Sequence, residues 1–540
     1  MRRRTFLSAS AAGTALSGCK PPAGNPRPVA SAVPRPFELD EIGLADLAAG
    51  LRRGRWTARR LVDLYSERIR EIDSAGPRLG AVIELNPDAS ALAEQSDRES
   101  RQGRSRGPLH GIPILLKDNV GTADRMTTSA GSLALGGWHP PKDSFVAARL
   151  REAGAIILGK TNLSEWANFR STHSVSGWSG RGGQTRNPYA LHRNPSGSSS
   201  GSGAAVAACL CGAAIGTETD GSVVSPASIN GIVGVKPTVG LVSRAGIIPI
   251  SHSQDTAGPM ARTVCDAALL LGAIAGVDPS DAATAASAGK SQPDYVKFLD
   301  PAGLRGARLG IARKFFEKNA PLDRLLTDFV DVLRRSGAEI VDPADLPLHG
   351  QWNDPELEVL LYEFKTDLNA YLSRLPAPFP QSLAGLIAFN QKNRDREMPW
   401  FEQEIFEQSA TRGPLTDPKY IKARRQCLLL TRTEGIDGVM DKHKLDAIVT
   451  LTGGPAWLID FVNGDTDTGN CSGPPAIAGY PHITVPAGFF RGLPVGLSFF
   501  GRAWSEPALF RLAYSFESAT QARRAPAFRE GSEALDDRSA

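Results

Sequence analysis

Cysteine is scarce in this chain, with six in 540 residues, at positions 19, 209, 211, 265, 427 and 471. Their spacing matches neither a disulfide framework nor a zinc-ligand pattern, so no stapled fold is expected. Cys209 and Cys211 sit among alanines and read as small core residues. Histidine is scarce too, eight in all and never at paired ligand spacing, so no metal and no cofactor is expected. No apolar run approaches the roughly 20 residues that span a bilayer. A surplus of one charge is also missing: 61 basic residues face 57 acidic ones. With no basic run interleaved with aromatics, no nucleic-acid partner is expected. There is no repeat of fixed period. What remains, 41% hydrophobic and 22% charged, is the balance of a soluble globular protein large enough for a sizeable core.

The N-terminus does carry a pattern. Arg3-Arg4-Thr5-Phe6-Leu7 resembles a twin-arginine export signature, and Leu16-Ser17-Gly18-Cys19 resembles a bacterial lipobox. Residues 1–19 therefore read as an export signal with a lipid anchor at Cys19, although a cut near Ala15 would leave that cysteine incidental. Residues 20–36 hold six prolines and read as an extended tether. The expected product is an exported bacterial protein, periplasmic or membrane-anchored. The remainder divides into one domain over 37–522, a helix-rich insertion at about 352–440 that would wall a cleft, and a loose polar tail over 523–540.

Short apolar runs at 79–85, 111–116, 154–159, 231–235, 308–312, 446–451, 482–488 and 495–501 have strand length. Helical segments are expected between them at 143–153, 201–215, 262–275, 321–337 and 505–519. Thr57 is a plausible cap for an earlier helix, stopped at Gly76-Pro77. The alternation predicts an α/β fold, a large mixed and mostly parallel sheet covered by helices on both faces.

One stretch resists that pattern. Residues 193–203 read "RNPSGSSSGSG", the composition of a flexible linker, yet they run straight into the apolar "AAVAACLCGAA". Gly197-Ser198-Ser199-Ser200-Gly201 fits the serine nucleophile elbow, but no buried strand precedes it and His349, His443 and His482 lack a supporting context. A serine loop at the mouth of a buried helix instead presents backbone N–H groups, as a site loop would.

"GPLHGIPILLKDNV", "NPSGSSSGSGAAVAA" and "GTETDGSVVSPASINGIVGVKPT", in that order, resemble the amidase signature family. "GLVSRAGIIPISHSQDTAGPMART" and "GYPHITVPAGFFRGLPVGLSFFG" extend the likeness, which covers roughly 40–275 and 440–520. The resemblance implies a catalytic lysine at Lys117, a bridging serine at Ser198 after a cis Gly197–Ser198 peptide, a nucleophile at Ser222, and Ser199 in support. Composition alone does not rank Lys117 above Lys160 or Lys236, which also follow apolar runs. On this assignment the oxyanion hole falls to the backbone N–H groups of Thr219, Asp220, Gly221 and Ser222. Asp220 is awkward beside an oxyanion, so its carboxylate is expected to turn away and bond elsewhere.

The residue types suit the chemistry. A hydroxyl attacks an amide carbonyl only if a base takes its proton. A free lysine, with a pKa near 10.4, is neutral about once in 2,500 at pH 7, and burial raises that fraction. Ser198 would pass a proton between Ser222 and Lys117. "GTETDGS" with "SHSQDTAGPM" looks most similar to bacterial peptide amidases, implying hydrolysis of the C-terminal amide of peptides to carboxylate and ammonia. Other linear amides, a peptide-binding lipoprotein without turnover, and a tRNA-dependent amidotransferase subunit (disfavoured by the export signal) are the alternatives.

Overall fold

A computed structural model describes residues 35–466 and 468–530. The twin arginines, Cys19, the tether up to Pro34 and the tail beyond Glu530 lie outside the described residues. Thirteen strands are present in chain order: β1 (Val82–Leu85), β2 (Pro113–Lys117), β3 (Ile156–Thr161), β4 (Trp178–Ser179), β5 (Gly183–Gln184), β6 (Ala213–Glu218), β7 (Val233–Lys236), β8 (Thr256–Ala261), β9 (Arg308–Ile311), β10 (Glu339–Val341), β11 (Ala447–Leu451), β12 (His482–Phe490) and β13 (Leu493–Phe500). Eleven form one sheet in the order β1-β3-β2-β6-β8-β7-β12-β13-β11-β9-β10, and β4 pairs with β5 apart from it. Every residue of β2, β3 and β6 is buried, which is why they read as unbroken apolar runs rather than alternating ones.

The expected large mixed sheet with its helices is thus present, but parallel pairing is confined to its flanks. The pairs β3–β2–β6 and β11–β9–β10 are parallel, while every pair from β6 to β11 through β8, β7, β12 and β13 is antiparallel. The two-residue turn Arg491–Gly492, both at positive φ, makes β12–β13 a hairpin, which must be antiparallel.

A second correction concerns residues 201–215. The helix there spans only Ser200–Ala207, Cys209 takes a left-handed φ of 55°, and the chain re-enters the sheet as β6. Small residues serve both states, so the run carried no sign of the break. All eight residues of that helix are buried. A Cβ on Gly201 would lie 2.3 Å from the Ala81 carbonyl oxygen and 2.5 Å from that of Asn162, so only glycine fits. Thr57 caps the helix Ala58–Arg68 through its hydroxyl, and that helix runs on through Ile69–Ser74.

Residues 353–443 are helical with no strand between them. The helix Asn353–Leu372 packs Leu361, Phe364 and Leu368 against Phe169, Ile248 and Ile250 of the sheet-bearing part. The tail is tied down as far as Arg529. Arg523 bonds the Gly231 carbonyl and pairs with Glu41, and the Phe528 and Leu191 N–H groups bond Pro188 and Arg529. Its polar composition hid this because most of the partners are main-chain carbonyls.

A fully buried ionic cluster fastens the helical layer. Arg170 pairs with Glu165, donates to the Glu397 carbonyl at 2.6 Å, and stacks over Phe401 at 4.3 Å. Glu397 accepts from the Leu133 N–H at 2.7 Å and the Ser132 hydroxyl at 3.1 Å. Burial pushes the Glu165 carboxyl well up, with Arg170 opposing and Glu397 reinforcing. Removing one member of a buried pair leaves the other charge uncompensated. Arg170→Met is expected to lose about 3–5 kcal/mol of stability in denaturant unfolding, and a loss below about 1 kcal/mol would show that the cluster holds nothing.

Candidate active site

Lys117 ends β2, and the adjacent β6 brings Thr217 beside it at the carboxyl ends of the two parallel strands, where open α/β sheets place their sites. The Lys117 side chain is fully buried. Its Nζ donates to Ser198 Oγ at 2.8 Å, Thr217 Oγ1 at 2.9 Å and the Thr217 carbonyl at 3.2 Å. Burial lowers its pKa to about 7, against the smaller opposing pull of Asp255 and Glu218. A neutral amine can accept a proton from Ser198 along the same contact.

The three lysines that composition left unranked separate here. Lys160 bonds the Val120 carbonyl at 2.6 Å and Thr128 Oγ1 at 2.8 Å. Lys236 bonds the carbonyls of Tyr480 at 2.7 Å and Pro237 at 3.2 Å. Both are buried, with burial lowering each to about 8, but neither bonds a serine hydroxyl.

Ser198 and Ser199 sit at the mouth of the helix Ser200–Ala207, and the Gly197–Ser198 peptide is cis. Ser199 braces three segments. Its Oγ donates to the Thr217 carbonyl at 3.1 Å and accepts from the Thr217 N–H at 3.2 Å, while its own N–H donates to the Ser222 carbonyl at 3.1 Å. That last bond sets the Ser222 loop beside the serine-rich one. Ser222 is 8% exposed. Gly221 before it has φ 76°, and a Cβ there would meet Ser472 Oγ at 2.8 Å.

The loop Thr219–Ser222 is gripped from outside. Glu218 accepts from the Val223 and Val224 N–H groups at 2.8 and 3.0 Å, closing the turn into the helix Val224–Ile229. Thr219 Oγ1 donates to Asp255 Oδ1 at 2.5 Å, and Gln254 Nε2 donates to the Thr219 carbonyl at 3.2 Å. No group among the described residues accepts from the N–H groups of Asp220, Gly221 or Ser222. Such a row of unspent donors suits an oxyanion. The Asp220 carboxyl is the one expected to turn away and bond elsewhere. It lies against Ser472 and a second carboxyl, Glu356, and burial raises it.

Two cavities are lined in part by these loops. One of about 210 Å³ is lined by Ser198, Thr217, Thr219, Ile248, Ile250 and Asp255. The other, of about 280 Å³, touches Gly197, Asp220, Gly221, Trp457, Asp465 and Ser472. Thr217, Gln254, Asp255 and Glu356 were not singled out from the sequence. "TETDGS" and "SHSQD" drew notice only as parts of the resemblance, and nothing local marked Glu356.

Known proteins share this arrangement of chain. A family model for amidases matches residues 61–510. The structure of a peptide amidase from Stenotrophomonas maltophilia is similar at a TM-score of 0.87 and 53% identity, over 91% of this chain and 100% of that one. A peptide amidase solved with the competitive inhibitor chymostatin is similar at 0.88 and 54%, with the same coverage. A probable amidase of Arabidopsis thaliana is 44% identical over 502 residues, 91% of this chain and 92% of that protein.

The curated relatives from plants and fungi, which include proteins of Arthroderma benhamiae and Schizosaccharomyces pombe, overturn the expected localisation. An exported bacterial lipoprotein anchored through Cys19 is not supported, and no helix among the described residues is long and apolar enough to cross a membrane. The binding-lipoprotein alternative falls with it, as does the argument from export against an amidotransferase subunit.

The lowered Lys117 pKa has a consequence for stability. Between about pH 7 and 10.5 the unfolded chain holds a proton at this amine that the folded chain does not. The unfolding free energy therefore gains up to about 1.36 kcal/mol per pH unit across that window from this group. Lys117→Met is expected to show a smaller rise in stability from pH 7.5 to 9.5 than the wild type in urea titrations. Equal rises in the two proteins would contradict the buried, neutral amine.

Proposed function

The chain belongs to the amidase family and is an amidohydrolase acting on C–N bonds, and from that premise we propose that it hydrolyses the C-terminal amide of peptides through Lys117, Ser198 and Ser222. The observation that carries the mechanism is the buried Lys117 amine, 2.8 Å from Ser198 Oγ with a pKa near 7. The peptide substrate rests on the likeness to peptide amidases, one of them bound to chymostatin.

In this reading Ser222 Oγ attacks the amide carbonyl carbon. Its proton passes to Ser198 Oγ as the Ser198 proton moves to Lys117 Nζ. The carbonyl oxygen gathers negative charge and takes hydrogen bonds from the free N–H groups of the 219–222 loop. Collapse breaks the C–N bond, the relay runs backward to protonate the departing nitrogen, and ammonia leaves. Water then attacks the acyl-Ser222 ester through the same relay, giving the carboxylate and restoring the hydroxyl. Ser199 holds the two loops in register, and the helical layer over 352–440 forms a wall of the cleft within one catalytic domain spanning 37–522.

Ammonia release should be compared across C-terminally amidated peptides, simple aliphatic amides, and free asparagine or glutamine. Amidated peptides are expected to give the highest kcat/KM, and a preference for small aliphatic amides would defeat the peptide reading. Lys117→Ala and Ser222→Ala should each lower kcat/KM by at least about 10³-fold, and near wild-type release by either would defeat the mechanism. Because the base is the neutral amine, the rate should fall about tenfold per unit as pH drops below 7.

A further inference from the structure

We propose that Gln254 is a positioning residue for this hydrolysis, held by the helical layer so that it turns the Thr219 carbonyl outward and the Asp220 N–H toward the oxyanion. The inference rests on the reading of Ser222 as nucleophile and of the 219–222 N–H groups as the oxyanion hole.

Gln254 is 1% exposed, and its Nε2 donates both to the Thr219 carbonyl, at 3.2 Å, and to Glu356 Oε1, at 2.8 Å. A backbone carbonyl can only accept, so the amide must present its nitrogen there. Both hydrogens of that nitrogen are then spent, one on each partner. The amide oxygen is buried with no donor among the described residues. An apolar side chain of the same length would fill the space without that cost. What glutamine adds is the pair of hydrogen bonds.

Glu356 does not hold this segment alone. The helix Asn353–Leu372 carries Glu356, Glu363 and Asp367 on one face, spaced seven and then four residues apart. All three carboxyls accept from residues 251–254. Ser251 Oγ and the Ser253 N–H bond Glu363 Oε2 at 2.5 and 3.1 Å, and the His252 N–H bonds Asp367 Oδ2 at 2.8 Å. From the helix Pro418–Leu428, the Tyr420 hydroxyl donates to Glu363 Oε1 at 2.6 Å. Asp255 closes the segment by accepting from the Ile250 and Ser251 N–H groups at 2.8 and 2.9 Å. The segment is thus fixed to the helical layer, and from it Gln254 and Asp255 reach the nucleophile loop at Thr219.

The function follows from peptide geometry. In a trans peptide the C=O and the next N–H point in opposite directions, and the Thr219–Asp220 peptide is trans. Pinning the Thr219 carbonyl against Gln254 directs the Asp220 N–H to the far side of the loop, where no acceptor among the described residues meets it. Asp255 holds only the Thr219 hydroxyl, so the plane of this peptide depends on Gln254. Donors aimed before the charge develops stabilise an oxyanion without reorganising. With the Gln254 bond gone, the peptide is free to rotate and to turn its carbonyl oxygen toward the developing charge.

The test compares wild type with Gln254→Met, which keeps the length and loses the donor. On the best amide substrate kcat is expected to fall at least about tenfold, with KM within about twofold. A second readout uses a peptidyl aldehyde and the matching alcohol as inhibitors. Ser222 Oγ adds to the aldehyde carbon, its proton passes into the relay, and the carbonyl electron pair moves onto oxygen as an oxyanion. The alcohol forms no such adduct. The aldehyde should lose affinity by the same factor as kcat, and the alcohol by less than about twofold. A role confined to packing would weaken both inhibitors alike. The inference is overturned if kcat stays within about twofold of wild type, or if aldehyde and alcohol weaken equally. Should Gln254→Met fail to fold, Glu356→Leu, which releases the amide without removing it, decides on the same readouts. Ser222→Ala, assayed alongside, separates the two readings. Retained turnover there defeats the nucleophile assignment, whereas a dead Ser222→Ala beside an unchanged Gln254→Met defeats only the positioning role.

Discussion

The rest of this structure depends on an amine that has been taken out of water. Lys117 ends a strand buried along its whole length, and its nitrogen reaches only oxygens: one serine hydroxyl, one threonine hydroxyl and one carbonyl. Desolvation lowers its proton affinity to a level useful near neutrality, and the distant carboxylates Asp255 and Glu218 restore only part of it. Lys160 and Lys236 show that burial alone confers no chemistry. Their amines cap carbonyl oxygens and a threonine hydroxyl, and the chain uses them to close strand ends. What distinguishes Lys117 is the hydroxyl in front of it.

Keeping that hydroxyl in place explains a composition otherwise typical of disorder. Ser199 spends both its side chain and its N–H on holding β6 and the Ser222 loop, and Gly201 lets the following helix approach two carbonyls more closely than any Cβ would permit. Smallness in this stretch serves contact, not freedom. The 219–222 loop is held differently, by groups reaching in from Glu218, Gln254 and Asp255, so that its own N–H groups stay unspent. The two loops are complementary: one uses up its polar groups internally and the other keeps them available.

How much of this was legible follows from the range of each interaction. The strands with unbroken apolar character, such as β3 and β11, stood out in the sequence. β6 was absorbed into the preceding helix because alanine and glycine suit both states. β8 contains Gly258 and Pro259, which read as turn residues, and β10 is three residues long. Lys117, Ser198 and Ser222 were legible through the resemblance and not through spacing. Gln254 and Asp255 act on residues about 35 positions away, and Glu356 bonds Gln254 from 102 positions away, so no local pattern encodes them. The N-terminal motif, though locally well formed, misled about where the protein resides, because a short signature carries little information set against relatives along the whole chain.

The strand order has a consequence for synthesis. Six neighbouring strands, β1 to β8 without the β4–β5 pair, come from residues 82–261, and the other five from residues 308–500, so the sheet is two contiguous halves meeting at one seam. Lys117, Ser198 and Ser222 all belong to the earlier half. The seam pairs Gly234, Val235 and Lys236 with Thr484, Ile483 and His482. While the ribosome is still making the later half, β7 has no partner on that side, and a bare strand edge recruits other chains. A fragment ending before residue 482 would keep all three proposed catalytic side chains and still carry an adhesive border.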